Sequence, residues 1–137
     1  MSRHPDEEAN LAAVRSLFAA IANGPVDEAF EKLYAPDIIQ EEFPNRLLPN
    51  GARRDLTALR QAAARGRALM AAQTFELVNA LATGSSVAVE GRWTGTVGVD
   101  AGPFKAGTTL RTRFAQIFDF REGKVVAIRN YDCFDPW

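Results

Sequence analysis

Two acids in this chain sit where an acid is costly. Glu42 closes the run Ile38-Ile39-Gln40-Glu41-Glu42 ahead of Phe43-Pro44, and Asp132 stands inside Tyr131-Asp132-Cys133-Phe134. A carboxylate taken from water into apolar surroundings loses solvation and its pKa rises, which makes an ordinary acid able to take and return a proton near neutral pH. Glu42 and Asp132 are therefore the candidate catalytic residues. Each has an alternative: Glu42 on a surface turn accepting backbone N–H bonds, Asp132 in a buried ion pair with Arg113 or Arg129.

Side chains two apart on a strand share a face, so the strand-like C-terminal runs can be sorted. One set is Thr112, Phe114, Gln116, Phe118 and Phe120, and another is Val126, Ile128, Asn130, Asp132 and Phe134. If these face inward, Gln116, Asn130 and Asp132 are polar groups in an otherwise apolar cleft, the composition of a small-molecule site. Leu17, Phe43, Trp93, Phe114 and Ile128 are the expected apolar walls, with Gln116 and Asn130 orienting a substrate oxygen. Equally, Gln116 and Asn130 satisfy loop backbone groups, and Trp93 supplies core or rim area. The opposite sets, among them Arg111, Arg113, Arg129, Tyr131 and Cys133, mix charge with bulk and suit a face covered by a second copy.

Other chemistries find little support. The 16 basic and 17 acidic side chains nearly cancel, which argues against a nucleic-acid surface. One cysteine and one histidine do not make a zinc set or a disulfide, so neither a metal nor a cofactor is expected. Cys133 reads as a small buried hydrophobe, and His4 as an inert residue of a polar tail. The glycines at 95, 98 and 102 precede no helix and form no dinucleotide loop. Six arginines between Arg46 and Arg67 read as a solvated face, or as a source, through Arg46 or Arg53, of one contact to an anionic ligand group. The N-terminus lacks the apolar core of a signal peptide and no run is long enough to cross a membrane, so a cytoplasmic location is expected.

The elements that must position these groups follow from periodicity. Apolar residues at steps of three and four mark helices over about 7–23, 26–34 and 55–70. Between the second and third lies a stretch read as irregular, ending at the Asn50-Gly51 turn. From residue 73 the period changes to two, giving strands over 73–82, 87–97, 108–120 and 124–134 joined as consecutive hairpins. Three N-terminal helices followed by a curved antiparallel sheet define an α+β fold in one domain, residues 1–137.

The order of elements, with FEKLYAPDIIQEEFPNRL leaving the second helix and FDFREGKVVAIRNYDCF ending the chain, resembles the nuclear transport factor two superfamily, in its SnoaL-like and ketosteroid-isomerase-like branch. The resemblance covers nearly the whole chain. It implies a cone-shaped, cystatin-like α+β barrel whose sheet wraps the helices around a mostly apolar pocket. It also implies association of sheet faces into a homodimer. Aligned from Tyr34, the isomerase general base falls at Glu42, with Glu41 its solvent-facing neighbour. The two oxyanion-hole positions fall at Leu17, which offers no donor, and Gln116, which offers an amide. The chain thus departs from the steroid-isomerase machinery at two of three places. What remains is an acid/base pocket for a small apolar or cyclic carbonyl-like compound, of isomerase, cyclase or dehydratase type, or a non-catalytic binding or assembly domain.

Overall fold

The computed structural model describes residues 5–137; His4 lies outside the described residues. Helix α1 (Pro5–Asn23) turns Leu11, Val14, Leu17 and Phe18 inward along one stripe, and Asp6, Glu7 and Glu8 occupy its first turn, where the helix dipole favours negative charge. Helix α2 (Val26–Leu33) buries Val26 and Phe30 and passes directly into extended backbone at Tyr34. Helix α3 (Leu56–Leu69) is capped by Asp55, whose carboxylate accepts the Ala58 N–H at 2.9 Å. These are the three expected helices, to within a few residues.

Six strands, not four, build the sheet: β1 (Tyr34–Glu42), β2 (Ala52–Arg54), β3 (Met70–Thr83), β4 (Ser86–Val97), β5 (Thr109–Arg121) and β6 (Lys124–Phe134). Their order is β2-β1-β6-β5-β4-β3. The stretch expected to be irregular is thus mostly strand. Its strand β1 runs parallel to β6, so the curved sheet is mixed, and it is open because the edges β2 and β3 do not meet. Local pattern hid β1 for a physical reason. Pro36 and an irregularity between Tyr34 and Ile39 break the alternation, and its partner lies some ninety residues away.

The β1–β2 connection depends on one glycine. Gly51 has φ +67°, and a Cβ there would come within 2.5 Å of the Glu42 carbonyl oxygen. This close return lets β2 pair with the end of β1, Gln40 opposite Arg54 and Glu42 opposite Ala52. Further along, a bulge between Asp119 and Phe120 advances the β6 register by one residue. Val125, not the expected Val126, therefore joins the core, while Ile128 and Asn130 keep their predicted face.

The core lies between the helices and the inner face of β1, β4, β5 and β6. Phe18 of α1 is its hub, with ring centroids 5.1 Å from Phe75, 5.6 Å from Phe114 and 6.0 Å from Phe118. Fully buried Phe118 anchors the middle of the sheet; truncating such a ring to alanine typically costs about 3–5 kcal/mol. The inner face is therefore rigid where it carries the polar groups described next.

Candidate active site

Cross-strand register sets three polar side chains in a row. Glu42 of β1 pairs with Asn130 of β6, which pairs with Gln116 of β5. Directly paired residues share a face, and neighbouring strands lie about 4.8 Å apart, so the row spans roughly 10 Å of the inner face. Glu42 and Gln116 line a cavity of about 230 Å³ between the sheet and the helices, whose walls include Leu17, Phe30, Tyr34 and Ile128. Gln40 and Arg54 complete its polar edge. Asp132 lies one step past Asn130 on the same strand face, opposite Phe114.

The two candidate acids are held differently. Glu42 accepts from Arg54 Nη1 at 2.9 Å through Oε1 and from Asn45 Nδ2 at 2.9 Å through Oε2; the same Arg54 nitrogen also donates to Gln40 Oε1 at 2.9 Å. With side chains only 12% and 16% exposed, Glu42 and Arg54 form a half-dry ion pair. Asp132 has neither of its expected arginine partners. Arg129 is bound to Asp119 at 2.7 Å, and Arg113 belongs to the opposite face of β5. The one hydrogen bond to its carboxylate comes from Asn130 Nδ2, at 3.0 Å to Oδ2. Burial, reinforced by the negative charge of Glu42 and only partly offset by Asn130, pushes Asp132 up to about 6. Asp132 is thereby the group of the site able to exchange a proton near neutral pH.

Two further polar groups complete the geometry. Asn130 is 5% exposed, and its Oδ1 has no hydrogen-bond partner. Tyr34, on the cavity wall and stacked on Phe30 with centroids 4.5 Å apart, has its phenol pushed far up by burial, so it stays neutral and keeps its donor. Among the described residues no group of three or more His, Cys, Asp or Glu is placed to hold a metal ion.

The structure brings Glu42, Asp132, Asn130, Gln116, Leu17 and Ile128 to one region and sets three expected wall residues elsewhere. Phe43 stacks on Tyr131 at 4.7 Å, on the outer face. Trp93 donates its indole N–H to Gln73 at 3.0 Å and does not line the cavity. The Phe114 ring is buried in the Phe18 cluster, over Gly91, where a Cβ would come within 2.7 Å of it. Cys133 is exposed rather than buried, because alternation sends it outward when Asp132 faces in. Nor are Arg46 and Arg53 at the cavity: Arg46 lies over the Trp137 ring and donates to its carbonyl, and Arg53 pairs with Glu41. The cavity's arginine is Arg54. Sequence reading missed it, along with Gln40 and Asn45, because only a recognised β2 tells adjacent Arg53 and Arg54 apart.

A mixed sheet wrapped on three helices, with a polar row at one end of an apolar cavity, matches a known family. The chain belongs to the SnoaL-like domain family, whose model matches residues 14–128, and so to the nuclear transport factor two-like superfamily. Among solved structures, a proposed SnoaL-like polyketide cyclase from Jannaschia sp. CCS1 superposes with a TM-score of 0.78 at 18% identity, covering 96% of this chain and 90% of that one. AclR, a proposed hydroxylase from Streptomyces galilaeus, gives 0.74 at 16% identity over 92% and 90%. A Catenulispora acidiphila protein described as having a ketosteroid isomerase-like fold, in complex with trimethylamine, gives 0.66 at 19% identity over 87% and 83%. At such identities the likeness is one of fold. No similar sequence was found among curated proteins.

Proposed function

We propose that the protein is a cytoplasmic, cofactor-independent acid/base enzyme acting on a small cyclic or apolar carbonyl compound, with Asp132 as the proton carrier. The observation that carries this reading is the buried Asp132 carboxyl, with no cation partner, beside Glu42 at the polar end of the cavity. In the first step the Asp132 carboxylate takes a proton from the carbon next to the substrate carbonyl. The C–H bond breaks, the proton passes to an Asp132 oxygen, and the electron pair moves onto the carbonyl oxygen as an enolate. The amide of Gln116 and the phenol of Tyr34 are the neutral donors available to that oxygen. Returning the proton to a different carbon isomerises the substrate; attack of the enolate carbon on a second carbonyl closes a ring, which can then lose water. Glu42 does not carry the proton in this scheme. Its oxygens hold Arg54 and Asn45, and its charge keeps Asp132 basic.

The neighbours proposed to be a polyketide cyclase and a hydroxylase support a small-molecule role, and the cavity, below the size typical for drug-sized ligands, suits one or two rings. The test is turnover of a panel of one- and two-ring ketones and diketones, with proton–deuterium exchange at the carbon next to the carbonyl as the readout. Asp132→Asn should slow exchange by about 100-fold or more. A fully active Asp132→Asn variant would sink the mechanism.

A second reading concerns assembly. The outer sheet face exposes Val78, Leu81 and Tyr131, the last at 44% and stacked on Phe43, a patch suited to a second copy of the chain. Light scattering should report a homodimer, and Tyr131→Glu should raise its dissociation constant at least tenfold. A wild-type monomer at 100 µM, roughly the range in which weak dimers still form, would remove this reading.

A further inference from the structure

The unpartnered Oδ1 of Asn130 is the one feature of the polar row that the proton-transfer scheme leaves unused. A buried acceptor with nothing to accept from costs free energy, and native proteins seldom leave one so. Here the amide cannot relieve itself by turning over. An ionised Asp132 only accepts, so the donor nitrogen must face it, and the oxygen must face the other way. Asn130 stands in the row between Glu42 and Gln116, both of which line the cavity. Neither donates to it. The carboxylate of Glu42 has no proton to give, and Gln116 makes no hydrogen bond to Oδ1. Arg54, the nearest cation along the row, is spent on Gln40 and Glu42 through Nη1.

We propose that Asn130 is the specificity residue of the cavity, with Oδ1 accepting a hydrogen bond from a hydroxyl group of the bound molecule while Nδ2 holds Asp132 in place. The inference rests on the reading of the cavity as a substrate site and adds the polarity of what it takes. A carbonyl oxygen only accepts and cannot satisfy Oδ1; an enol or phenol hydroxyl can. The ligand class is therefore a one- or two-ring compound bearing an enolic or phenolic O–H, such as a 1,3-diketone in its enol form. Asn130 reaches its partner in a dry site, where discrimination by an unsatisfied group is strongest. It also ties the hydroxyl it reads to the position of the proton carrier, because one amide serves both.

The experiment compares three probes of similar size, 2-naphthol, 2-methoxynaphthalene and naphthalene, by calorimetric titration of the full chain at pH 7.5, where Asp132 is ionised. Wild type should bind 2-naphthol about tenfold tighter than either analogue, and Asn130→Leu should reduce that preference to less than twofold. Carbon NMR provides an arm that needs no variant: the Asn130 side-chain carbonyl should shift downfield with 2-naphthol and stay in place with the methyl ether. Equal binding of the three probes by wild type, or a naphthol preference that survives in Asn130→Leu, or an unmoved carbonyl resonance, overturns the proposal while leaving the cavity a binding site. Failure of all three probes to bind at millimolar concentration overturns the cavity reading and this proposal with it.

Discussion

Two ion pairs one residue apart cross the same pair of strands and have opposite surroundings. Glu41 and Arg53 meet at 3.6 Å with side chains 47% and 67% exposed; Glu42 and Arg54 meet at 2.9 Å with 12% and 16%. The residue types are identical, and the pleat alone separates them, sending one pair into water and the other against Leu17 and Tyr34. Asp119 and Asp132 repeat the contrast. On the outer side, hydrogen bonds from Arg129 and Ser86 hold Asp119 below the usual carboxylate range. On the inner side Asp132 has an amide for company and is pushed up to about 6. An acid paired with arginine is a charge; an acid left with an amide in a dry place is a reagent.

The sharpest way to break this comparison is to neutralise the two aspartates in turn. Asp132→Asn should reduce proton exchange of a turned-over substrate by about 100-fold or more, and Asp119→Asn should leave it within about twofold. Equal losses would mean that both act through the fold.

Next comes the dependence of stability on pH, measured by urea unfolding. The folded-state pKa of Asp132, about 6, lies above its ordinary value of 3.8, so between those limits the folded protein binds the proton more tightly than the unfolded chain. Stability from this group should therefore fall as pH rises from about 4 to 6, by about 2–3 kcal/mol, and the decline should vanish in Asp132→Asn. Asp119 has the opposite sign: its lowered pKa adds stability above the usual carboxylate range that is lost as pH falls through its folded value. Being mostly exposed, it should contribute weakly. A flat profile between pH 4 and 6 in wild type would contradict the inner site's dryness.

Smaller effects separate the two ion pairs. Arg54→Ala leaves Glu42 half-buried with only Asn45 bonded to it, and should cost about 2 kcal/mol in urea unfolding, below the range for fully buried pairs. Arg53→Ala should cost less than about 0.5 kcal/mol. Similar losses for the two would show that the face of the strand does not matter here.

Much of the fold was legible because it is written in local periods. The stripe Leu11, Val14, Leu17 and Phe18 marks α1, the alternation from Leu110 to Phe120 marks β5, and Asp55 marks the start of α3. The inward set Gln116, Ile128, Asn130 and Asp132 also followed from alternation. Strand β1 was not legible, since its pairing is parallel and distant and Pro36 interrupts its pattern. Phe43 and Trp93 were misplaced for a related reason. Apolar character says that a side chain avoids water, not which of two available surfaces it packs on.

The sequence by itself determined that Glu42 and Asp132 were the acids in apolar company and that Asn130 and Asp132 share a face, because side-chain chemistry and the two-residue period are local properties. Only the tertiary structure decided their roles. It gave Arg54 to Glu42, sent Arg129 to Asp119, and left Asp132 with an amide whose oxygen has no partner. Those assignments depend on which strands lie side by side and in what register, and a carboxylate's proton affinity is set by the neighbours that register supplies.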